Sequence, residues 1–459
     1  MTGPIAIVGL GPGDPALRTL AAQRTLDQAE RIILRTAIHP GVADLVGDPR
    51  VVACDDIYER SAGFDDVYEA IAERVIDLAS QGPIVYAVPG HPRFAERSVG
   101  ILLARASEQG IRTEIQSAVS LIDVVATAID RDPIAGEAQL LDAAELSAIV
   151  DGDPFSGGRL ALDPTRPLLI AQVYDAARAS AVKLALGRLY PDEHEIIVVR
   201  AAGVPGEERI DAISLHALDR QRVDHLTSVW IEPLPSLAAA RSPQTLQRIV
   251  ARLRAPGGCP WDRAQTHETL RRAAIEEAYE TVDAIDAGEP ANLAEELGDL
   301  LLQVALHAQL AEEAGDFTLE DVYDHVSRKL IRRHPHVFGE VEATTPAAVV
   351  RTWEAVKAEE RKRAGEKPKP ANPLERLPRA MPAFDKATAL LSPRKGSAMR
   401  ETSDAELRTA GAPILAAIEA AVAAGLEPDA ALTAALRHRF QSPPEAESQE
   451  TVNDGKDEV

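Results

Sequence analysis

Two short acidic segments, A-I-E-E-A-Y-E at residues 274–280 and E-E-L-G-D at residues 295–299, constrain this chain more than any other feature. On a helix turning about 100° per residue, Glu276, Glu277 and Glu280 fall within one face. Glu296 and Asp299, three apart, share a face of the next helix. That helix continues L-L-L-Q-V-A-L-H-A-Q-L, yet Glu296, Asp299, Gln303 and His307 form one polar stripe at spacings of three, four and four. An apolar helix is expected to be buried, and a buried carboxylate stripe is costly unless a cation meets it. Two helices offering carboxylate pairs to a shared interior suit Mg²⁺, which takes hard oxygen ligands and leaves positions for water and phosphate. Two solvated acidic faces are the competing reading.

The flanking residues favour the metal. Upstream stands G-G-C-P-W-D-R-A-Q-T-H-E-T-L at 257–270; downstream stand K-L-I-R-R-H-P-H-V-F at 329–338 and W-E-A-V-K at 353–357. In this order the motifs resemble the MazG family of nucleoside triphosphate pyrophosphohydrolases, across roughly residues 246–360. The resemblance implies an all-α helical bundle that hydrolyses NTPs to NMP and diphosphate, clearing or controlling (d)NTPs. It implies Mg²⁺, with Mn²⁺ as a substitute, on Glu277, Glu280, Glu296 and Asp299. Glu277, Glu280 and Glu276 are the candidate catalytic acids, Glu276 as acceptor of the attacking water's proton. Trp261, Gln265, His267, Lys329, Arg332 and Arg333 are the candidate substrate-binding residues. Arg offers bidentate phosphate contacts that Lys does not, although a K-x-x-R-R helix end also reads as a solvated cationic face. Trp261 either stacks on a base or anchors its loop in the core. His267, His334 and His336 have no Cys or His partner at zinc spacing, so zinc is not expected.

Residues 1–234 alternate strand candidates (5–10, 31–34, 84–88, 167–173, 195–200, 228–232) with helical stretches such as 67–80 and 177–189, the pattern of an α/β domain. The first strand runs into V-G-L-G-P-G-D at 8–14, glycines that let backbone approach a ligand. With V-P-G-H-P at 88–92, S-A-V-S-L at 117–121 and R-A-A-G-V-P-G-E-E at 200–208, it resembles the tetrapyrrole methylase family. That resemblance implies two α/β lobes holding S-adenosylmethionine between them, near Gly9, Gly11, Gly13, Asp14, Gly90, His91 and Ser120. His91 stands where the family commonly has Asp, and Ala118 where it has Gly, which puts methyl transfer to a tetrapyrrole in doubt. The alternatives to a hydrolase-only reading are therefore an S-adenosylmethionine-dependent methyltransferase, or a non-catalytic ligand-sensing domain that regulates the helical one.

The expected organisation is an α/β domain at 1–234, a linker at 235–243, the MazG-type domain at 244–363 and a Pro-rich linker at 364–373. A helical segment at 374–441 follows, then a disordered tail at 442–459. Residues 378–387, P-R-A-M-P-A-F-D-K-A, resemble the start of a second MazG copy whose acidic motifs are missing. A formal net charge of −23 with no long basic tract argues against nucleic acid or an anionic membrane as partner. Cys54 and Cys259 make no disulfide framework, and no apolar run approaches membrane-spanning length, so a cytoplasmic protein is expected. The apolar helix faces predict a homodimer.

Overall fold

The computed structural model describes residues 3–60, 63–150, 160–363, 372–391 and 404–441. The expected tail, and all but the last two residues of the expected linker at 364–373, lie outside them. The chain divides into two compact units, Met1–Val322 and Tyr323–Val459.

The first unit opens with a parallel sheet in the order β3-β2-β4-β1-β5: β1 (Ile5–Gly9), β2 (Ile32–Leu34), β3 (Val51–Ala53), β4 (Ile84–Val88) and β5 (Thr113–Gln116). The central β4 reads I-V-Y-A-V and is buried throughout, as a parallel strand covered on both faces must be. Its Ile84, Tyr86 and Val88 pack into the same core as residues of α3 (Phe64–Ala79) and α4 (Arg97–Glu108), whereas Val85 and Ala87 join Ala22 and Leu26 of α1 (Leu20–Gln28). A second sheet follows, ordered β6-β7-β10-β8-β9 and formed by β6 (Gln139–Asp142), β7 (Leu168–Ala171), β8 (Glu195–Arg200), β9 (Arg209–Ser214) and β10 (Thr227–Ile231). Only β6 and β7 run parallel there. These are the two α/β lobes that the resemblance implies.

Residues 235–242 are a packed corner. Leu234 and Ala239 belong to the second lobe's core, and Ser242 is buried. From Pro243 the unit is helical: α8 (Pro243–Arg254), α9 (Pro260–Arg263), α10 (His267–Leu270), α11 (Ala273–Ala287) and α12 (Pro290–Ala314). Arg248 of α8 donates to Asp163 (3.1 Å) and Thr165 (2.9 Å) of the second lobe. Arg254, buried, makes a bidentate pair with Glu313 at 2.7 and 2.8 Å, tying α8 to the end of α12.

The expectation that α12 is buried holds on one side only. Ala305 and Leu306 pack with Val250 and Leu270, but Leu297, Leu301 and Val304 are exposed, as are Ile275, Tyr279, Val282 and Ile285 of α11. The acidic stripe likewise lies half-open, with Glu296 and Asp299 partly exposed. Within this unit α12 packs on α11, α8 and the short α10, which leaves part of its apolar surface uncovered.

The second unit comprises most of α13 (Leu319–Arg333), then α14 (Pro335–Phe338), α15 (Pro346–Arg363), α16 (Ala383–Leu391), α17 (Asp404–Ala423) and α18 (Pro428–Gln441). The carboxyl-terminal segment is helical. Asp429 at the start of α18 accepts the Ala383 N–H at 2.5 Å, capping α16. Among the described residues no single helix is long and apolar enough to cross a membrane.

Candidate active site and cofactor cleft

The helical hairpin α11–α12 brings Glu277, Glu280 and Glu296 together: each offers an oxygen, and the three oxygens lie within 4.8 Å of one another. Asp299 stands outside that trio but acts on it electrostatically. Partial desolvation and then the charge of Asp299, followed by that of Glu280, push the Glu277 carboxyl above its ordinary range. Glu296 is pushed up in the same way, by desolvation and then by Glu280 and Asp299. Carboxylates crowded against like charge favour either a shared proton or a cation. Glu276 does not join them. One residue earlier on α11, it accepts from Arg272 at 2.7 Å and faces solvent.

These shifts set the sign of a pH effect. A carboxyl whose folded pKa lies above its unfolded value destabilises the fold as it ionises. Its penalty is absent at acid pH and complete once pH passes the folded value. With chelator present, Glu277→Gln should therefore melt above wild type at pH 8, and the gain should shrink toward pH 4. A calorimetric scan at the two pH values checks this; a variant that melts lower at pH 8 contradicts the repulsion.

The G-G-C-P-W-D segment lies close by in sequence. Trp261 is 62% exposed on α9, which removes its reading as a core anchor. Its carbonyl accepts from Gln265 Nε2 at 3.0 Å, and Gln265 Oε1 accepts from Thr269 at 2.7 Å. His267 stacks on His307 with rings 3° from parallel and Nδ1 atoms 2.8 Å apart, so one ring donates and the other accepts. Burial and the neighbouring His267 lower the His307 pKa. Gln303, one turn before His307, is buried with its Oε1 unpartnered.

In the second unit, Lys329, Arg332 and Arg333 end α13. Arg332 Nε meets Glu360 Oε1 at 2.5 Å and Arg333 Nη2 meets Oε2 at 2.7 Å. His334 is edge-on to Trp353, ring centroids 5.1 Å apart, and tilted against His336.

Between the two α/β lobes lies a cavity of about 470 Å³ lined by Pro12, Gly90 and His91 together with residues from both lobes. Gly11 and Gly90 exchange backbone hydrogen bonds at 3.2 and 2.8 Å, joining the two candidate cofactor loops. Gly9 has no room for a side chain: a Cβ there would lie 2.5 Å from Ala118 Cβ and from Gly90 O. A Cβ on Gly13 would lie 2.3 Å from Val204. Asp14 and Ser120 serve as local caps. Asp14 accepts from Ala16 N–H at 2.8 Å, and Ser120 forms a capping box with Asp123 at the start of α5 (Leu121–Ile129). His91 Nδ1 accepts from Arg93 N–H, its ring against Phe94.

The sequence reading missed much of the cavity wall. Arg35, paired with Glu96 at 3.0 Å, Tyr58, Tyr68 and Tyr174 all line it. So do Ala95, Gln172 and Ala201, non-glycine residues at φ +53°, +62° and +53°. These positions are scattered over more than 160 residues and carry no local motif. His39, also in the wall, is pushed down to about 4 by burial and by His225, and so stays neutral.

Comparison with known proteins agrees with both halves. The family model for tetrapyrrole (corrin/porphyrin) methylases matches residues 4–217, and that for the MazG nucleotide pyrophosphohydrolase domain matches residues 265–338. The chain is 38% identical over 393 residues to the uncharacterized protein YabN of Bacillus subtilis, covering 85% of this chain and 77% of YabN. It is 51% identical over 118 residues to the nucleoside triphosphate pyrophosphohydrolase/pyrophosphatase MazG of Thermotoga maritima, covering 26% of this chain and 45% of that protein. The nucleoside triphosphate pyrophosphohydrolase of Escherichia coli K12 is 43% identical over 143 residues, 31% of this chain and 53% of its own length. A solved uroporphyrin-III C-methyltransferase from Thermus thermophilus, complexed with S-adenosyl homocysteine, aligns at 21% identity with a TM-score of 0.39, over 50% of this chain and 97% of its own. The chain belongs to the YabN family, with a tetrapyrrole methylase-type region ahead of a MazG-type nucleotide pyrophosphohydrolase, and is an enzyme of that hydrolase class.

Proposed function

We propose that this protein is a Mg²⁺-dependent nucleoside triphosphate pyrophosphohydrolase that releases NMP and diphosphate and so clears or controls (d)NTPs. The observation that carries the reading is the trio of Glu277, Glu280 and Glu296 oxygens within 4.8 Å, with two of the carboxyls pushed up by desolvation and then by neighbouring carboxylates. Hard oxygen donors this close suit Mg²⁺ or Mn²⁺. Glu277, Glu280 and Glu296 would hold the ion with Asp299 beside them; when bound, it supplies charge neutralisation and a more acidic water. The chain's own part is to fix these carboxylates on two helices, so that no reorganisation accompanies charge development. Glu276, held by Arg272, is assigned no step. Exposed Trp261 offers a flat face to a base, while Gln265 and the His267–His307 stack fix its loop to α12. Lys329, Arg332 and Arg333 would receive the polyphosphate. Incubating a panel of NTPs and dNTPs with Mg²⁺ or Mn²⁺ and separating the products tests the reading. NMP with diphosphate is expected; NDP with orthophosphate refutes it.

For the amino-terminal half, the close Gly9 and Gly11 backbone and the cavity beside Gly90 and His91 favour S-adenosylmethionine as ligand, whether for methylation or for sensing. We take 1–234, 244–363 and 374–441 as the functional segments, the last as a degenerate MazG-like copy. The exposed apolar rows Leu297, Leu301, Val304 and Ile275, Tyr279, Val282 are more than one small bundle leaves to water, and they favour a homodimer. Light scattering at micromolar concentration should give twice the 49.2 kDa chain mass; the single-chain mass rules the dimer out.

A further inference from the structure

The reading above, on which this inference rests, gives Arg332 and Arg333 to the polyphosphate, yet in the structure both already hold an anion. The Glu360 carboxylate on α15 spans them: Oε1 accepts from Arg332 Nε at 2.5 Å, Oε2 from Arg333 Nη2 at 2.7 Å, and Arg333 Nε donates to both oxygens at 3.4 and 3.2 Å. Of the three, Glu360 is the least exposed, its side chain 18% accessible against 49% for Arg332 and 30% for Arg333. Hydrogen bonds from Arg333 and then Arg332 hold its carboxyl down to about 2, so it is an anion across the physiological range. A carboxylate and a phosphate present the same pair of oxygens to a guanidinium.

We propose that Glu360 is an internal stand-in for a substrate phosphate, keeping Arg332 and Arg333 aligned when no nucleotide is bound and setting the charge an incoming anion must exceed to take them. The triphosphate of a nucleotide carries about four negative charges at neutral pH, and a nucleoside monophosphate or orthophosphate no more than about two. The triphosphate displaces a single carboxylate readily; a monophosphate competes with it poorly. Glu360 therefore favours triphosphate over the nucleoside monophosphate product and helps that product leave.

The competing role is structural, a staple joining α13 to α15. Ion pairs that water still reaches contribute little to stability, and α15 is also held by Trp353, which meets His334 edge-on. The two roles predict opposite results. In Glu360→Gln the shape of the group is kept and its charge removed, whereas Glu360→Asp keeps the charge.

The full chain and both variants are titrated calorimetrically with inorganic triphosphate and with orthophosphate, in chelator so that the acidic trio takes no part. Glu360→Gln should bind triphosphate roughly two- to tenfold more tightly than wild type, with a larger proportional gain for orthophosphate, and its melting temperature should stay close to wild type. Glu360→Asp should behave as wild type. In turnover, Glu360→Gln should show a lower KM for NTP and stronger inhibition by NMP. Equal or weaker triphosphate binding by Glu360→Gln, including no detectable binding by either protein, overturns the proposal. If wild type releases no diphosphate from any NTP, the proposed activity fails, while the triphosphate titration still decides the role of Glu360.

Discussion

Replacing Glu280 or Glu296 with Gln should lower NTP turnover by about three orders of magnitude, and chelation of divalent cations should abolish it. The size follows from charge. Losing one of three oxygens held within 4.8 Å removes several kcal/mol of charge stabilisation, and each ~1.4 kcal/mol is tenfold in rate. The variants should stay folded, because removing one member of a self-repelling set relieves strain. Mg²⁺ should raise the melting temperature of wild type, since a ligand that binds only the folded state stabilises it, and should leave Glu280→Gln nearly unmoved. Rates with separated products, alongside thermal scans with and without Mg²⁺, measure both effects. A Glu280→Gln enzyme within tenfold of wild type contradicts the metal assignment.

The second large effect belongs to the other half. Gly9→Val places a branched side chain where even a Cβ lies 2.5 Å from Ala118 and from the Gly90 carbonyl. Neither can yield cheaply: Gly90 is joined to Gly11 by two backbone hydrogen bonds, and Gly9 ends an interior strand paired on both sides. The loops joined by Gly11 and Gly90 must separate. Binding of S-adenosyl homocysteine, measured calorimetrically, should fall by more than a hundredfold, with the first lobe destabilised by about 1–3 kcal/mol or more. NTP hydrolysis should persist in the same protein, because every residue proposed for it lies beyond residue 260. Loss of hydrolysis in a protein that keeps wild-type circular dichroism would instead favour the sensing alternative, with the α/β lobes controlling the helices.

How much of this was legible follows from where the information sits. Strands β4 and β8 were readable to the residue because each lies inside its sheet and has an unbroken apolar run. β3, β5, β6 and β9 were not: all four end a sheet, β3 and β5 have only exposed or half-exposed residues, and T-E-I-Q and R-I-D-A-I-S lack a clean alternation. The acidic trio was readable because helical spacing alone places Glu277 and Glu280 on one face, with Glu296 on the following helix. Spacing also put Glu276 there, but it gives no sign of Arg272, which draws Glu276 away. Nor does periodicity show that α12 lacks a cover on one side, since an apolar residue reads alike whether it faces a core or an unfilled interface. The wall of the α/β cavity was least readable. Arg35 and Tyr58 come from the first lobe and Tyr174 from the second, so they share a wall only once the lobes pack together.

Ala95, Gln172 and Ala201 bear on the rigidity of that cavity. Each L-residue held in left-handed backbone costs the fold about 1–2 kcal/mol that Gly would not. Such a conformation persists only where the surrounding structure over-determines it. With three such positions around one cavity, the shape of its wall is dictated by the packing behind it rather than by local backbone preference.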